Sequence, residues 1–253
     1  MEITFLGTGT SHGIPVIGCG CAVCTSTDLR DNRLRSSIMV EAKGKRIVVD
    51  TGPDFRQQML REKVKTLDAI LFTHEHKDHT AGLDDIRSFN FYNDKDMDAF
   101  ATTRVQENIR KSFDYIFSEK TYPGIPQIMF HTIWNEPFKI FDIDVIPVEV
   151  LHHRLPVLGF RFGDFCYITD AKTIPEKEQE KIYGIDTLVL NALRVEPHIS
   201  HFSLSEAIDM AIRIKAKNVY FTHIAHELGL HAEVDAKLPE DMHLAYDGLK
   251  LSF

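Results

Sequence analysis

The sequence lacks any run of about 18 consecutive apolar residues, so we expect no membrane-spanning helix in its 253 residues. The first residues include an acidic side chain and turn formers, with neither a basic start nor a long apolar run, so we also expect no signal peptide. Together these absences predict a cytoplasmic protein, whose thiols stay reduced.

Basic charge is also scarce. The formal net charge is −8, and the 29 Lys and Arg residues are scattered along the chain. A protein that holds nucleic-acid phosphates usually carries a basic stripe. The composition therefore argues against a nucleic-acid partner.

No Gly/Ser-rich linker and no break in composition divides the chain, and its length is ample for a buried core. We therefore expect a single domain over residues 1–253. Short β-rich runs alternate with stretches of helical spacing, which predicts a mixed α/β fold of two sheets with helices outside them. The polar, aromatic stretch 84–98 is a candidate lid or insertion, with a solvated surface loop as the alternative.

Three local patterns give specific expectations. The segment 203–215 opens with Ser-x-x-Glu, which predicts a helix that begins with a capping box. The run 138–153 is strand-like throughout, and the closing segment 243–253 is typical of a hairpin.

The strongest chemical signal is a cluster of ionisable side chains that follows the apolar strand pattern 69–74. Within six positions stand His74, His76, Asp78 and His79. Burying so many such groups without partners would be costly. Imidazole and carboxylate are ligands suited to Zn²⁺, Mn²⁺ or Fe²⁺, so the cluster predicts a metal site, with a chance surface cluster as the alternative.

One segment cannot fill the ligand shells of two metal ions, so we expect further ligands from the ends of other strands. Three apolar strand patterns end in residues of suitable type, namely His152 and His153, then Asp170, then His223. The agreement of these separated segments with the histidine run makes the prediction of a metal site specific.

A second set of ligands begins in the stretch GCGCAVC (18–24), which contains Cys19, Cys21 and Cys24. A structural zinc ion takes four ligands, and these thiols supply three. His226 is the expected fourth. Reactive or redox-active cysteines are the alternative, and the isolated Cys166 is expected to be a small core residue.

The order of the candidate ligands along the chain resembles that of the metallo-β-lactamase superfamily of binuclear hydrolases. It consists of a His-x-His-x-Asp-His run, then a lone His, then an Asp at a strand end and then a final His. The cysteine cluster together with THIAH resembles a narrower branch, the PhnP-type cyclic phosphodiesterases of the carbon–phosphorus lyase pathway. The similarity extends along the chain through FLGTGTSHGIPVIGCGCAVC, VVDTG, FTHEHKDHTAGL, LHHRLPVLGF, ITDAKTIPE, FTHIAHE and YDGLKL.

The resemblance implies an αββα sandwich of two mixed sheets with helices on the outer faces. It also implies two catalytic Zn or Mn ions and one structural zinc ion. One catalytic ion would be held by His74, His76 and His153, and the other by Asp78, His79 and His223. Asp170 would bridge the two ions, and the structural zinc would lie among Cys19, Cys21, Cys24 and His226. His153 is preferred to His152 because it lies six residues before Gly159, where the family places its ligand.

The implied function is hydrolysis of a small phosphodiester, with a cyclic one favoured, by a hydroxide that bridges the two metals. His201, just before a helix, stands where the family places a catalytic histidine, and it would protonate the leaving alkoxide. His198 is the competing acid, and the neighbourhood of a helix start is the ordinary explanation for both. Asp78 and Asp170 complete the expected catalytic set.

Several weaker candidates accompany this set. Asp50, in VVDTG, is expected to orient the histidine loop instead of binding metal. Arg33, Arg35 and His12 are candidate phosphate contacts, with solvated loop side chains as the alternative.

Other functions stay open. A tRNA 3′-end processing-type endonuclease shares the GTGTS opening and the metal ligands, but the acidic balance argues against it. A non-catalytic metal-dependent binding protein is the alternative from another class, although the ligand set is complete. Glyoxalase- or lactonase-type chemistry uses similar ligands, but the cysteine cluster and His201 argue against it. The resemblance is compatible with a homodimer.

Overall fold

The computed structural model describes residues 1–118 and 124–253. Its strands are β1 (Glu2–Gly7), β2 (Ser37–Ala42), β3 (Lys45–Val49), β4 (Ala69–Leu71), β5 (Met97–Ala101), β6 (Ile128–Thr132), β7 (Phe138–Ile140), β8 (Ile143–His152), β9 (Leu155–Phe162), β10 (Phe165–Ile168), β11 (Thr187–Asn191), β12 (Asn218–Thr222), β13 (Met242–Leu244) and β14 (Lys250–Ser252). Its α-helices are α1 (Phe55–Arg61), α2 (Lys77–Thr80), α3 (Arg87–Asn93), α4 (Thr103–Ser112), α5 (Glu176–Glu180), α6 (Leu204–Ile214) and α7 (His231–Asp235). In these two ranges, every helix is too short or too polar to cross a membrane.

The chain folds into two compact units, each assembled from separate stretches of sequence. The first unit comprises Met1–Leu6, Ser37–Trp134 and Lys250–Phe253, and the second comprises Gly7–Ser36 and Asn135–Leu249. Each unit contains one mixed sheet with helices, which confirms the fold class expected from the sequence. The single-domain organisation stays a prediction.

The sheet of the first unit has the strand order β14-β1-β2-β3-β4-β5-β6. Strands β3 to β6 run parallel, whereas β2 pairs antiparallel with β3 and β14 with β1. Parallel strands are covered on both faces, which is why β4 is a continuous apolar run that is entirely buried. The apolar side of α1, including Phe55 and Met59, joins the same core as Val48 and Ile70.

The sheet of the second unit has the order β13-β12-β11-β10-β9-β8-β7. Strands β10 to β13 run parallel, and β7 to β10 form antiparallel neighbours. Helix α6 buries Ala207, Ala211 and Ile214 on one face. The predicted capping box is present, with the Ser203 hydroxyl and the Glu206 carboxylate each accepting a backbone N–H.

The parallel strands of each unit place chemically useful residues at one edge of its sheet. Asp50 follows β3 in the first unit, and the histidine run follows β4. Asp170 and His223 follow β10 and β12 in the second unit. Because the carboxyl ends of parallel strands share an edge, each unit collects its own set of ionisable side chains there.

Two predictions of local structure were wrong. The run 138–153 is two strands, because Phe141 adopts φ 53° in a tight turn that pairs Ile140 with Ile143. The segment 243–253 is not a hairpin, since β13 pairs in parallel with β12 while β14 pairs antiparallel with β1. Strand β13 thus pairs with the backbone groups of β12 in the sheet of the second unit, and β14 with those of β1 in the sheet of the first unit.

The stretch 84–98 is not a plain solvated loop. It contains α3, whose Phe89 is buried in the core of the first unit, and it ends inside β5. The residue after the helix, Asp94, adopts the left-handed conformation with φ 47°. A role of this stretch as a lid or insertion stays a prediction.

Gly82 gives a test of the packing beside the histidine run. Its N–H donates to the carbonyl of Thr51, and an added Cβ would lie 2.1 Å from the carbonyl oxygen of Gly52. Because that neighbour is backbone, Gly82→Ala should lower the free energy of unfolding by about 1–3 kcal/mol in a denaturant titration. The exposed helical substitution Glu107→Ala is the control and should change it by less than about 0.5 kcal/mol. Equal stability of the two variants would contradict the close approach.

Candidate metal centres

In the first unit, Asp50 holds the loop that carries the histidine run. Its carboxylate is fully buried, and Oδ1 accepts the backbone N–H of Thr73 at 2.9 Å. Oδ2 accepts the Thr73 hydroxyl and the Nδ1 proton of His79, each at 2.7 Å. Burial raises the pKa of Asp50, whereas its interactions with His79 and Thr73 oppose that rise.

These hydrogen bonds determine which imidazole nitrogens are left for a metal. The Thr73 hydroxyl donates to Asp50, so it accepts the Nδ1 proton of His74 at 3.0 Å. His79 likewise has its proton on Nδ1. Both rings are buried, with centres 4.3 Å apart, and both therefore present Nε2 as an electron-pair donor. This arrangement fits metal ligands, which typically donate their other ring proton to a supporting oxygen.

The other two residues of the run lie beside this pair. The ring centre of His76 is 4.6 Å from that of His74, and an Asp78 carboxylate oxygen is 3.4 Å from Nε2 of His79. His76 is exposed and Asp78 is half-buried. The first unit thus brings together the four residues of the histidine run predicted as ligands.

In the second unit, Asp170 and His223 form a corresponding buried pair. One carboxylate oxygen of Asp170 lies 3.3 Å from Nε2 of His223, and the other accepts the Thr169 hydroxyl at 2.7 Å. Nδ1 of His223 contacts the hydroxyls of Ser36 and Thr169 at 3.2 and 3.3 Å. These groups fix the orientation of both predicted ligands within the unit.

Backbone conformation marks the same positions. Asp50, His153, Asp170 and His223 all adopt left-handed φ values, between 55° and 66°. Residues other than glycine seldom adopt this conformation, and such strain concentrates at functional sites. At the end of a strand, this conformation turns the backbone sharply. The residue therefore stays at the edge of the sheet, and the chain does not continue in the direction of the strand.

The two histidines after β8 differ in their surroundings. His153 is exposed in the two-residue turn between β8 and β9. His152 is half-buried, and it offers a ligand atom within 4.8 Å of those of Asp170 and His201. The assignment of His153 as the metal ligand stays a prediction.

His201 lies at the edge of this buried group. Its Nδ1 is 3.7 Å from a carboxylate oxygen of Asp170, and its ring stacks against His223 with centres 4.9 Å apart. Burial lowers the pKa of His201 to about 3, although the charge of Asp170 opposes the shift. Burial also lowers the pKa of His198, and the nearby Arg194 adds to that effect.

A pocket of about 190 Å³ in the second unit opens onto these residues. His201 and His198 line it together with Arg194 and His12. Arg194 is a cationic side chain in this lining and suits an anionic ligand, whereas the Glu227 carboxylate in the same lining opposes one. His12 therefore stays a candidate phosphate contact.

Arg33 does not have this placement. Its buried guanidinium donates to the Thr8 hydroxyl at 2.8 Å and to the carbonyl of Ala245 at 2.5 Å. Burial lowers its pKa to about 10. The alternative that Arg33 is a solvated loop side chain was wrong, because its hydrogen bonds tie together the interior of the second unit. A phosphate contact of Arg33 stays a prediction. Arg35 donates to the carbonyl of Ser11 at 3.1 Å.

The cysteine cluster forms a separate candidate zinc site in the second unit. The thiols of Cys19 and Cys21 lie 3.4 and 3.3 Å from Nδ1 of His226. These separations are close to the roughly 3.5 Å expected between neighbouring ligands of a tetrahedral zinc ion. The four candidate ligand atoms, from Cys19, Cys21, Cys24 and His226, all lie within 4.8 Å of one another.

The chemistry of this donor set also suits zinc. The three thiols are not joined in disulfides. The hydrogen bond with His226 lowers the pKa of Cys21 to about 6, which favours the thiolate that binds zinc. Burial raises the pKa of Cys24 to about 11, which opposes loss of that proton before a metal binds. On its other side, Nε2 of His226 lies 3.4 Å from the Glu227 carboxylate, a partner of the kind that orients metal-binding imidazoles. Cys166 is fully buried in the core, as expected.

Sequence reasoning missed the supporting hydroxyl and amide groups. Thr73, Thr169 and Ser36 hold the predicted ligands, and the Asn191 side chain bonds both backbone groups of Ala171, next to Asp170. A polar residue adjoining a predicted ligand at a strand end is the available signal for Thr73 and Thr169. For Asn191, the signal is a polar side chain at the end of a fully buried strand.

Comparisons with known proteins agree with this geometry. The family model for the β-lactamase superfamily domain matches residues 45–224. The crystal structure of a diphosphatase from the PhnP family aligns with a TM-score of 0.93 and 43% identity, covering 100% of this chain and 97% of that one.

Three curated relatives share sequence with the chain. An octanoyltransferase from Porphyromonas gingivalis is 38% identical over 253 residues, or 99% of this chain and 51% of that protein, so the chain spans about half the length of this relative. Coenzyme PQQ synthesis protein B from Methylorubrum extorquens is 33% identical over 227 residues, or 78% of this chain and 74% of that protein. Ribonuclease Z from Listeria monocytogenes is 26% identical over 217 residues, or 83% of this chain and 61% of that protein.

The cysteine cluster predicts a zinc ion that is independent of the histidine-rich centre. Cys24→Ser should lose one zinc ion per chain in elemental analysis and keep the metal held by His and Asp ligands, because the two donor sets are separate. Cys166→Ala, which removes a thiol outside the cluster, is the control and should keep all metal. An unchanged zinc content in Cys24→Ser would count against the site.

Removal of the Asp170 carboxylate should affect metal binding and turnover, whereas removal of the Asp50 carboxylate should affect stability. Asp170→Ala should lose bound metal and nearly all turnover, because it removes a predicted ligand. Asp50→Ala should mainly lower stability in a denaturant titration, since it breaks the hydrogen bonds that order the histidine loop. Elemental analysis and activity measured on the same preparations separate these effects, and full metal with wild-type turnover in Asp170→Ala would refute the bridging assignment.

Proposed function

This chain belongs to the β-lactamase superfamily, and from that membership we propose that it is a metal-dependent phosphodiesterase for small substrates, with cyclic phosphodiesters favoured. The observation that carries the proposal is the support given to His74 and His79. Both rings donate their Nδ1 proton to a fixed oxygen and keep Nε2 for a metal. This preparation for metal binding agrees with the metal-dependent hydrolysis that the superfamily supports.

The metal assignment is part of the proposal and rests on the family's ligand pattern together with the local geometry of each residue. Two Zn or Mn ions would be held by His74, His76, His153, Asp78, His79 and His223, with Asp170 assigned to both. A further zinc ion would be held by Cys19, Cys21, Cys24 and His226. When bound, the catalytic ions neutralise phosphate charge and activate water for attack on phosphorus.

His201 supplies the proton that the leaving oxygen needs. Its pKa is lowered mainly by burial, which disfavours the charged imidazolium. A phosphate anion in the adjacent pocket raises that pKa again, because an opposite charge favours the protonated ring. Substrate binding and protonation of His201 are therefore linked.

The substrate class draws on the pocket and on one solved structure. The polar pocket beside His201 is small, at about 190 Å³, which suits a compact anion better than a folded RNA. The PhnP-family structure at 43% identity is that of a diphosphatase. A diphosphate ester, like a phosphodiester, is cleaved by attack on phosphorus with loss of an oxygen leaving group. Both classes therefore belong in the first activity panel.

A second candidate is a tRNA 3′-end endonuclease, which the similarity to ribonuclease Z from Listeria monocytogenes favours. The net charge of −8 argues against it. Cleavage of precursor tRNA, with no turnover of small diesters, would establish this alternative. Any turnover would dismiss the non-catalytic metal-binding alternative. The cytoplasmic location and the homodimer stay predictions.

The test of the proposed acid compares two leaving groups. Protonation matters most when the leaving oxygen is a basic alkoxide and little when it is a stabilised nitrophenolate. General acid catalysis contributes about 10²–10⁴-fold, so His201→Ala should lose roughly that much on a cyclic ribose phosphodiester. The loss on a nitrophenyl diester should be far smaller, with metal content unchanged.

A control variant and the pattern of losses distinguish an acid role of His201 from other roles. His223→Ala, which removes a predicted metal ligand, should lose both activities and metal together. Equal losses on both substrates with intact metal in His201→Ala would assign His201 to substrate positioning. His198→Ala would then be tested as the competing acid.

A further inference from the structure

We propose that His152 is a positioning residue that holds His201 in place through the backbone of the preceding residue, Ser200. The proposal rests on the proposed function, since it takes His201 as the proton donor. His152 is neither a predicted metal ligand nor the proposed acid, so it has no other assigned function.

The contact has one possible direction. Nδ1 of His152 lies 2.9 Å from the carbonyl oxygen of Ser200, and a carbonyl can only accept, so Nδ1 carries the proton. The ring centre of His152 is 4.5 Å from that of His201. His152 therefore fixes the backbone one residue before His201 and also contacts the ring of His201.

The support for this bond is a regular strand. His152 is the last residue of β8, which pairs with β9 from Ile146 to His152 in continuous antiparallel register. A side chain at this position is attached to a backbone that the hydrogen bonds of the sheet hold in place. Hydrogen bonds from such elements position functional groups better than loop contacts do.

The segment that needs support is the loop between β11 and α6. Its two ends are joined where Leu193 donates to the carbonyl of Phe202, and Phe202 donates to that of Ala171. Between these ends, Val195 and Ile199 are 57% and 69% exposed, so little apolar burial holds the middle of the loop. The contact of His198 with Ser200 lies within the loop and does not tie it to the sheet. The bond from His152 provides such a tie, next to the buried ring of His201.

Amide side chains separate this role from that of a metal ligand. An Asn side chain places its N–H₂ group near the position of Nδ1 and can donate to the Ser200 carbonyl. A Gln side chain reaches instead towards the position of Nε2. His152→Asn should thus restore a positioning role, whereas it could not replace an imidazole that binds metal through Nε2.

The experiment measures His152→Ala, His152→Asn and His152→Gln on a cyclic ribose phosphodiester and on a nitrophenyl diester, with metal content determined for each. A misplacement of about 1 Å can lower a rate by about 10²-fold. The Ala and Gln variants should therefore lose about 10- to 100-fold on the ribose diester and little on the nitrophenyl diester, with metal unchanged. The Asn variant should stay within about threefold of wild type. His152→Ala combined with His201→Ala should be no worse than His201→Ala alone, since the two residues act as a unit.

Two results would overturn the proposal. Loss of metal and of both activities in all three variants would make His152 a ligand. Equal losses on the two substrates with metal intact would show that the acid was not displaced.

Hydrogen exchange separates this proposal from the proposed function. The hydrogen-bonded amides of Leu193, Ser200 and Phe202 should exchange faster in His152→Ala and His152→Gln and at the wild-type rate in His152→Asn. If His201→Ala shows no dependence on the leaving group, the acid role fails, but this exchange pattern would still establish the tie. Unchanged exchange in His152→Ala would exclude the tie whatever the chemistry of His201.

Discussion

The hydrogen bond between the buried carboxylate of Asp50 and Nδ1 of His79 is the interaction on which the histidine loop depends. Asp50 has no exposed surface, and its two oxygens accept three hydrogen bonds from Thr73 and His79. A buried carboxylate is weak evidence for stability, because the cost of its desolvation offsets much of what its hydrogen bonds contribute. Its value here is orientation. One carboxylate fixes His79 directly and His74 through the Thr73 hydroxyl, so both rings present Nε2 as an electron-pair donor.

The second unit reaches a similar result with hydroxyls and an amide. Thr169 and Ser36 hold Asp170 and His223, and Asn191 clamps the backbone beside Asp170. Left-handed φ values at Asp170 and His223 require this support, since an L-residue would otherwise relax out of that conformation. In each unit, strained residues at the ends of parallel strands are thus held by buried polar partners. The strain and the hydrogen bonds together keep the ligands at the sheet edge.

Sequence patterns predicted the features that depend on neighbouring residues or on chemical type. Buried parallel strands are apolar runs, the Ser203 capping box is a local motif, and the histidine run has no explanation in hydrophobic burial. The details that failed depend on contacts distant in sequence. Nothing local distinguishes the hairpin expected at 243–253 from two strands that pair with β12 and β1. Likewise, Arg33 resembles a solvated loop residue until its partners Thr8 and Ala245 are known. The surroundings of His152 and His153 depend on the register of the hairpin, which the sequence does not reveal.

The cysteine cluster lies close to a predicted ligand of the histidine-rich centre in the second unit. His226 lies three residues after His223, so the segment that presents His223 at the end of β12 also reaches Cys19 and Cys21. Thiolates favour zinc and similar soft ions, whereas carboxylates and imidazoles accept a wider range of divalent ions. If both proposed centres are loaded, separate donor sets would allow the metal of the histidine-rich centre to vary while zinc holds the loop around residues 18–24. Val16, whose N–H donates to Cys24 Sγ, and His226 both line the pocket beside His201, so the order of the cysteine cluster also affects the shape of that pocket.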